Sequence, residues 1–355
     1  MKNLRYITAL RFPLALLVVL IHCDISERAG ADAQQFSLIA PLCQVLSKGI
    51  ATVAVPAFFA MSGYLFFLGK QTFTLADYRG KLRRRAKTLL VPYLVWNAVA
   101  FLIYAAKDTA AGQPLQFPPC ADLFWGIRPL GGGGLNLLGM PVGETFAPVQ
   151  VPLWFVRDLI VLVAVSPALH FLLRRTGVVW LALIGIANFV FLPNFGGMSL
   201  TGAFWFSIGA WFAVRGKDPL ATTRRFLPAA AVLCALSFVL SVFLHDVCGP
   251  AANFLRVLYT MSAIICLIHA ADALTRRREP NRFLASSTFF IYAFHTLALF
   301  PVIALLSRLG NDLGYAAQAA CYAGTFAIAV VGSLAAYFVV SRCGKWTAPL
   351  TGNWK

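Results

Sequence analysis

Apolar residues along this chain fall in long, nearly uninterrupted blocks, and the charged residues collect in the short stretches between them. A helix needs about 20 apolar residues to cross the hydrocarbon layer of a bilayer. Ten segments meet or approach that length: roughly 5–25, 47–69, 87–106, 151–173, 177–193, 199–214, 226–245, 252–274, 284–307 and 316–341. The fifth and sixth are the shortest. The second contains Pro56 and Ser62-Gly63, which mark it as a place for a broken helix. The blocks are too long for the strands of a membrane barrel. The pattern therefore predicts an all-α, polytopic integral membrane protein of about ten transmembrane helices.

Composition agrees with the pattern. The chain is 59% hydrophobic and only 12% charged, about half the charge density of a soluble domain. The formal net charge of +17 would suggest nucleic acid in a soluble protein, but the placement of the charges gives it another meaning. With the N-terminus inside, the inner segments hold 22 of the 30 lysines and arginines, the outer segments five, and the spans Arg11, Arg157 and Arg256. Cytoplasmic loops carry this excess as a rule, so both termini are expected to be cytoplasmic. The charge is a topology signal, not a nucleic-acid footprint.

One membrane domain is expected over residues 1–345, followed by a short cytoplasmic tail, 346–355. The N-terminal apolar run lacks a small-x-small cleavage pattern and is read as a retained first helix rather than a signal peptide. The connection 107–150 is long, outer and glycine-rich, with "LGGGGLNLLGMPVGETF" at its heart. Loops of this length in compact proteins are usually functional or disordered; this one is positioned to cover an acceptor or dip toward the membrane. Its glycines lack the spacing of a phosphate-binding loop. Eight cysteines show no C-x-x-C spacing; Cys23, Cys43, Cys120 and Cys248 fall on one side, which permits a disulfide without requiring one. The five histidines lie on different segments without i, i+4 spacing, so no metal site is expected.

Two residues stand out in the first span, Arg11 and His22. Eleven residues of α-helix turn through three revolutions plus about 20°, so both side chains share a face, about 16 Å apart along the axis. Ionisable groups inside spans are costly and face polar interiors, which marks them as functional candidates. The plainer alternative is that His22 is solvated at the outer interface and Arg11 snorkels inward.

"LRFPLALLVVLIH" (10–22) resembles the first helix of the acyltransferase 3 family of membrane acyltransferases, marked by arginine, ten residues, then histidine. Further likenesses follow in order. "VPAFFAMSGYLFF" (55–67) resembles the second helix, and "LRRRAKTLLVPYLVW" (82–96) the basic loop leading into Pro-Tyr and Trp. "PLWFVRDLIVL" (152–162) and "FFIYAFHTL" (289–297) resemble later helices. The resemblance covers essentially the whole chain. It implies a bacterial inner-membrane enzyme that transfers an acyl group, commonly acetyl from acetyl-CoA, to a hydroxyl of a cell-envelope glycan or lipid-linked saccharide. Acyl-CoA is then a donor substrate, and no bound cofactor is expected.

The residues suit that chemistry. A thioester is already activated, so the enzyme must deprotonate a hydroxyl, hold it close and stabilise an oxyanion. A neutral histidine is a suitable base; His22 takes that role, with Asp24 as an orienting carboxylate and Arg11 acting on the donor, the oxyanion or the field. The family carries Arg-x-x-Arg in the basic loop. Here Arg84-x-x-Lys87 stands instead, beside Arg83 and Arg85. Lysine keeps the charge and loses the bidentate fork. Donor phosphates are one reading of Arg83, Arg84 and Lys87, and anchoring to anionic lipid is the other.

Trp154 and Arg157, at an outer helix start, and Tyr292 and His295, one turn apart, are cavity candidates; an aromatic belt explains Trp154 equally well. Arg157 and Asp158, being adjacent, are not expected to pair. Ser62 is read as a packing point or helix break rather than a nucleophile. His269 and Arg256 are mid-helix, and His170 and His245 lie at span ends. The rival function is a transporter or flippase for a lipid-linked glycan, which predicts related halves and a midplane site; no internal repeat is evident.

Overall fold

The computed structural model describes residues 4–26, 36–70, 72–114, 118–128, 135–137, 140–142, 145–191, 194–195, 198–243, 249–306, 308–309 and 313–354, with backbone alone for those within 127–145, 189–197 and 249–253. Arg28, the glycine run 131–134, His245 and Cys248 lie outside the described residues. The helices in chain order begin with α1 (Arg5–His22), α2 (Ala40–Leu46), α3 (Ala54–Phe67), α4 (Leu75–Arg85), α5 (Val91–Ala110) and α6 (Cys120–Trp125). There follow α7 (Trp154–Ala164), α8 (Ser166–Arg175), α9 (Val178–Phe191), α10 (Leu200–Val214) and α11 (Pro219–Thr223). The chain ends with α12 (Leu227–Phe243), α13 (Gly249–Arg277), α14 (Arg282–Leu306), α15 (Tyr315–Arg342) and α16 (Ala348–Thr351).

Every apolar block of the sequence coincides with a helix. Among the described residues, seven helical stretches are long and apolar enough to cross a membrane, or eight if α7 and α8 are one span. Two shorter apolar helices, Val178–Asn188 and Leu200–Val214, match the two short blocks. The exposed faces fit lipid contact: Val232, Leu236, Val239 and Phe243 on α12 are all exposed, and a helix apolar on every side belongs in lipid or a large core. The chain is all-α in its spans.

The helix break is in the fourth block rather than the second. α7 and α8 meet at 67° because Pro167, second residue of α8, has no N–H to donate and its ring displaces the carbonyl four residues earlier. α3 runs unbroken through Ser62-Gly63, since Pro56 stands at its start, where proline is tolerated. Between α4 and α5 the residues Ala86–Leu90 form a π-helical turn, a rare insertion frequent at functional sites.

The contacts divide the chain into two compact units, Met1–Ala57 with Thr223–Gly344, and Phe58–Thr222 with Lys345–Lys355. In the first, α1 packs against α13 and α14, α12 pairs with α13, and α14 pairs with α15. Its core holds Val19, Cys23, Ile25, Phe36, Ile39 and Ile291. Cys43 is a free thiol, as is exposed Cys120 of the second unit.

In the second unit α10 packs beside α7, α8 and α9, and it crosses α3 at two glycines. A Cβ on Gly63 would fall 2.0 Å from the Phe206 carbonyl oxygen, and one on Gly209 would fall 1.8 Å from that of Ala60. Small residues of this kind let membrane helices approach backbone to backbone, which is the reason for Ser62-Gly63. Among the described residues of the long connection, β1 (Gly126–Arg128) pairs antiparallel with β4 (Thr145–Ala147), and β2 (Leu135–Leu137) with β3 (Met140–Val142). A further pair joins β5 (Asn194–Phe195) to β6 (Met198–Ser199). The residues set apart as a tail pack on α5, where Trp96 Nε1 donates to the Leu350 carbonyl at 3.0 Å.

Gly63→Ala or Gly209→Ala is expected to destabilise the fold by about 1–3 kcal/mol through overpacking. Gly80→Ala, whose Cβ meets nothing within 4 Å, is expected to be neutral or stabilising. Thermal midpoints of the three variants in detergent check this ordering.

Candidate active site

α1 carries both marked residues of the first span on one continuous helix, Pro13 included. The geometry of that helix keeps Arg11 and His22 on one face and about 16 Å apart. Arg11 is exposed and makes no side-chain hydrogen bond or ion pair among the described residues. His22, half-buried, ends the helix.

The residue brought to His22 is His295 of α14. The two rings lie 5.0 Å apart, centre to centre, at 44°. His295 is fully buried. Its Nδ1 lies 2.8 Å from the Tyr292 carbonyl and 3.1 Å from that of Ile291. Carbonyl oxygens only accept, so Nδ1 carries the proton. A neutral His295 therefore has its lone pair on Nε2. Tyr292 is buried, with its ring 6.4 Å from that of His295. Sequence spacing placed Tyr292 and His295 on one face, whereas the meeting of His22 with His295 depends on the packing of α1 against α14.

Asp24, 4% exposed, does not orient His22 by a hydrogen bond. Its Oδ1 accepts from Ser26 N at 3.0 Å and Ser26 Oγ at 2.5 Å, and its Oδ2 faces Lys48 Nζ at 3.7 Å. The cause is local: α1 ends at His22, and the turn that follows closes on the carboxylate as Asp24 and Ser26 pair across two residues. Ser47 fastens the same helix end, donating to the Leu20 carbonyl at 2.7 Å and meeting the Tyr322 hydroxyl at 2.8 Å. Sequence reasoning missed Ser47 and Tyr322. A lone serine and a lone tyrosine carry no spacing signal.

The remaining candidates lie in the second unit. Arg83 and Arg84 end α4, Lys87 sits in the π-helical turn, and all three are exposed. They make no ion pair among the described residues. α4 is set by a capping box of Thr74 and Asp77, reinforced by Lys70 on Asp77 at 2.5 Å. Lys81 is drawn back to the Phe66 carbonyl and over its ring. Arg83, Arg84 and Lys87 are left to face outward. Trp154 is half-buried, its ring 6.1 Å from that of Phe59.

Arg157 and Asp158 do pair, against the expectation from their adjacency. The long arginine side chain folds back, and Nε and Nη2 donate to Asp158 Oδ1 at 3.1 and 3.0 Å. Nη1 donates to the Phe146 carbonyl at 3.0 Å, and the guanidinium lies 4.4 Å from the centre of the Trp125 ring. Asp158 Oδ2 accepts from Ser199 N at 2.8 Å. The pair thus fastens the long connection to α7 and the start of α10. Among the other histidines, His170 lies against Phe67 and Phe73, and His269 Nε2 meets Thr223 Oγ1 at 2.9 Å.

Removing one partner of a buried ion pair strands the other charge. Asp158→Ala is therefore expected to cost about 3–5 kcal/mol, whereas Arg84→Ala, at an exposed position, is expected to stay within about 0.5 kcal/mol. Denaturation of the two variants in detergent measures the contrast.

Known proteins bear on this arrangement. Residues 4–341 match the model of the acyltransferase 3 family, described as an acyltransferase domain. The chain is also similar to the succinoglycan biosynthesis protein ExoH of Rhizobium meliloti (strain 1021), 25% identical over 344 residues, covering 95% of this chain and 88% of the relative. No solved structure matches. The match runs over nearly the whole chain and takes in the first helix, the basic turn and the late histidine helix, so this multi-pass membrane protein is an acyltransferase and belongs to the acyltransferase 3 family.

Proposed function

We propose that the protein is an O-acetyltransferase of the bacterial inner membrane, moving acetyl from acetyl-CoA to a sugar hydroxyl of a cell-envelope polysaccharide or glycolipid. The observation that carries this reading is the His22–His295 ring pair at the end of the helix bearing the arginine-x10-histidine motif. The glycan acceptor draws its support from the similarity to a succinoglycan biosynthesis protein. The family match favours transfer over transport.

The chemistry follows from the residues. His22, neutral, takes the proton of the acceptor hydroxyl as its oxygen attacks the thioester carbonyl. The carbonyl π-electrons move to oxygen, giving a tetrahedral oxyanion. Collapse re-forms the carbonyl, breaks the carbon–sulfur bond and expels the CoA thiolate. The proton held by His22 passes to that sulfur, so free thiol leaves and the base is neutral again. His295, held by its Nδ1–H on two carbonyls, fixes the wall against which the His22 ring rests. Arg11 is too far along the helix to touch His22; its charge acts on the donor.

In this reading ten helices cross the membrane, counting α7 with α8 as one bent span and α9 and α10 as short spans, and both termini are cytoplasmic. Arg83, Arg84 and Lys87 then face the cytoplasm, where CoA is available, and bind its phosphates by charge-assisted hydrogen bonds. The π-helical turn presents Lys87 off the register of a regular helix, which offsets the missing second arginine of the family's Arg-x-x-Arg.

Purified protein incubated with labelled acetyl-CoA and envelope glycan should transfer label. His22→Ala should lower transfer by about 100-fold or more, and Arg11→Ala should also impair it, both at unchanged folding. Undiminished transfer by both variants would overturn the assignment. Lys87→Arg should keep or improve apparent affinity for the donor, and Arg84→Gln should raise its KM.

A further inference from the structure

A helix leaves its last carbonyls without donors from its own backbone, and in α1 that end carries His22. Leu20 supplies one of these carbonyls. It accepts from Cys23 N at 3.2 Å and from Ser47 Oγ at 2.7 Å. A carbonyl only accepts, so the single hydroxyl hydrogen of Ser47 is committed to Leu20. The Tyr322 hydroxyl, 2.8 Å from Ser47 Oγ, is therefore the donor between those two. The bonds form a one-way chain, from Tyr322 to Ser47 and from Ser47 to the Leu20 carbonyl. Ser47 is 1% exposed and Tyr322 4%, where a polar group left unpaired is costly.

A second chain of the same chemistry shows what is particular about the first. Tyr337, also on α15 and buried, donates to Ser286 Oγ at 2.9 Å, and Ser286 Oγ donates to the Arg282 carbonyl at 2.8 Å. That serine bonds back within its own helix, and Arg282 lies about 20 Å along α14 from His295. The first chain instead crosses segments: Ser47 stands 27 residues beyond Leu20, and Tyr322 a further 275. It ties three separate stretches together at the carbonyl two residues before His22. Packing acts in the same place. Tyr322 shares a core cluster with Val19, Cys23 and Ile291, and the Ile291 carbonyl faces His295 Nδ1 at 3.1 Å. Tyr322 thus supports the backbone on both sides of the His22–His295 ring pair.

We propose that Ser47 and Tyr322 are positioning residues for acyl transfer, their hydroxyl chain holding the last turn of α1 so that the His22 ring stays set against His295. Neither hydroxyl touches a reacting atom; both act through His22. A base must sit within hydrogen-bond reach of the proton it takes, and a misplacement of about 1 Å can cost about 100-fold in rate. Without the chain, the Leu20 carbonyl keeps only its long bond from Cys23, and the turn that ends in His22 is free to fray. The inference rests on the reading of His22 as the base, and it adds the residues that aim it.

The test compares Tyr322→Phe with Tyr337→Phe, two variants that each delete one buried hydroxyl and keep the ring. Transfer from labelled acetyl-CoA to envelope glycan is followed with the full-length protein in detergent, alongside thermal midpoints. Tyr322→Phe should lower kcat about tenfold or more while the KM for acetyl-CoA stays within about twofold. Tyr337→Phe should lower the midpoint to a similar extent and leave kcat near the wild-type value. Ser47→Ala should match Tyr322→Phe, and the double variant should lose no more than Ser47→Ala alone, because the two hydroxyls work as one chain. In a His22→Ala background, Tyr322→Phe should reduce the residual transfer far less than it reduces that of the wild type. Equal kcat in Tyr322→Phe and Tyr337→Phe would overturn the inference and leave the chain a plain stabilising contact. So would an undiminished effect of Tyr322→Phe in the His22→Ala background. Undiminished transfer by His22→Ala alone would overturn the base reading itself, and this inference with it.

Discussion

A polar group placed among hydrocarbon must either find a partner inside the protein or face a polar path, and this constraint governs the protein at every level. The two compact units meet it differently. The second pairs its buried polar side chains closely: Arg157 with Asp158, Asp158 with Ser199, and Asn97 with both Tyr93 and Gln150. Ser199 and Gln150 come from distant stretches of the sequence, so the bonds that satisfy Asp158 and Asn97 also tie down the start of α10 and the end of the long connection. In the first unit Arg11 and Arg256 make no side-chain hydrogen bond or ion pair among the described residues, and His22 is set against His295.

Much of this was legible in the sequence because membrane helices write themselves as blocks of hydrophobicity. All ten blocks are helical, since backbone groups in lipid have no other local way to be satisfied. What the blocks did not reveal was local backbone chemistry. Pro56 and Pro167 are the same residue type, yet one sits harmlessly at a helix start and the other bends a span by 67°. Both stand in the first turn of a helix; what differs is what comes before, a 3₁₀ turn ahead of Pro56 and the end of α7 ahead of Pro167, which hydropathy does not encode. The short strands of the long connection were likewise invisible, because three-residue pairings leave no periodic trace.

The site was legible to the same degree. Helix periodicity gave the shared face of Arg11 and His22, and of Tyr292 and His295, because each pair lies on one helix. It gave no hint that the two faces meet, because that contact spans more than 270 residues and is made by packing alone. Adjacency misled at Arg157-Asp158: neighbouring positions on a helix point apart at Cβ, but an arginine is long enough to fold back onto its neighbour. Asp24 erred in the opposite sense. Two residues from His22 in sequence, it lies beyond the helix end, and Ser26 and Lys48 take its oxygens.

The central claim is that His22, set against His295, carries the proton in acyl transfer. The pH dependence of kcat/KM tests it most directly, measured for the wild type and for His295→Gln, which keeps a polar side chain of similar reach but no titratable ring. The account predicts a wild-type rate that rises through an ionisation in the histidine range, with that ionisation displaced and the plateau lowered in His295→Gln. A profile that is flat across this range in the wild type, or identical in the two proteins, would contradict it.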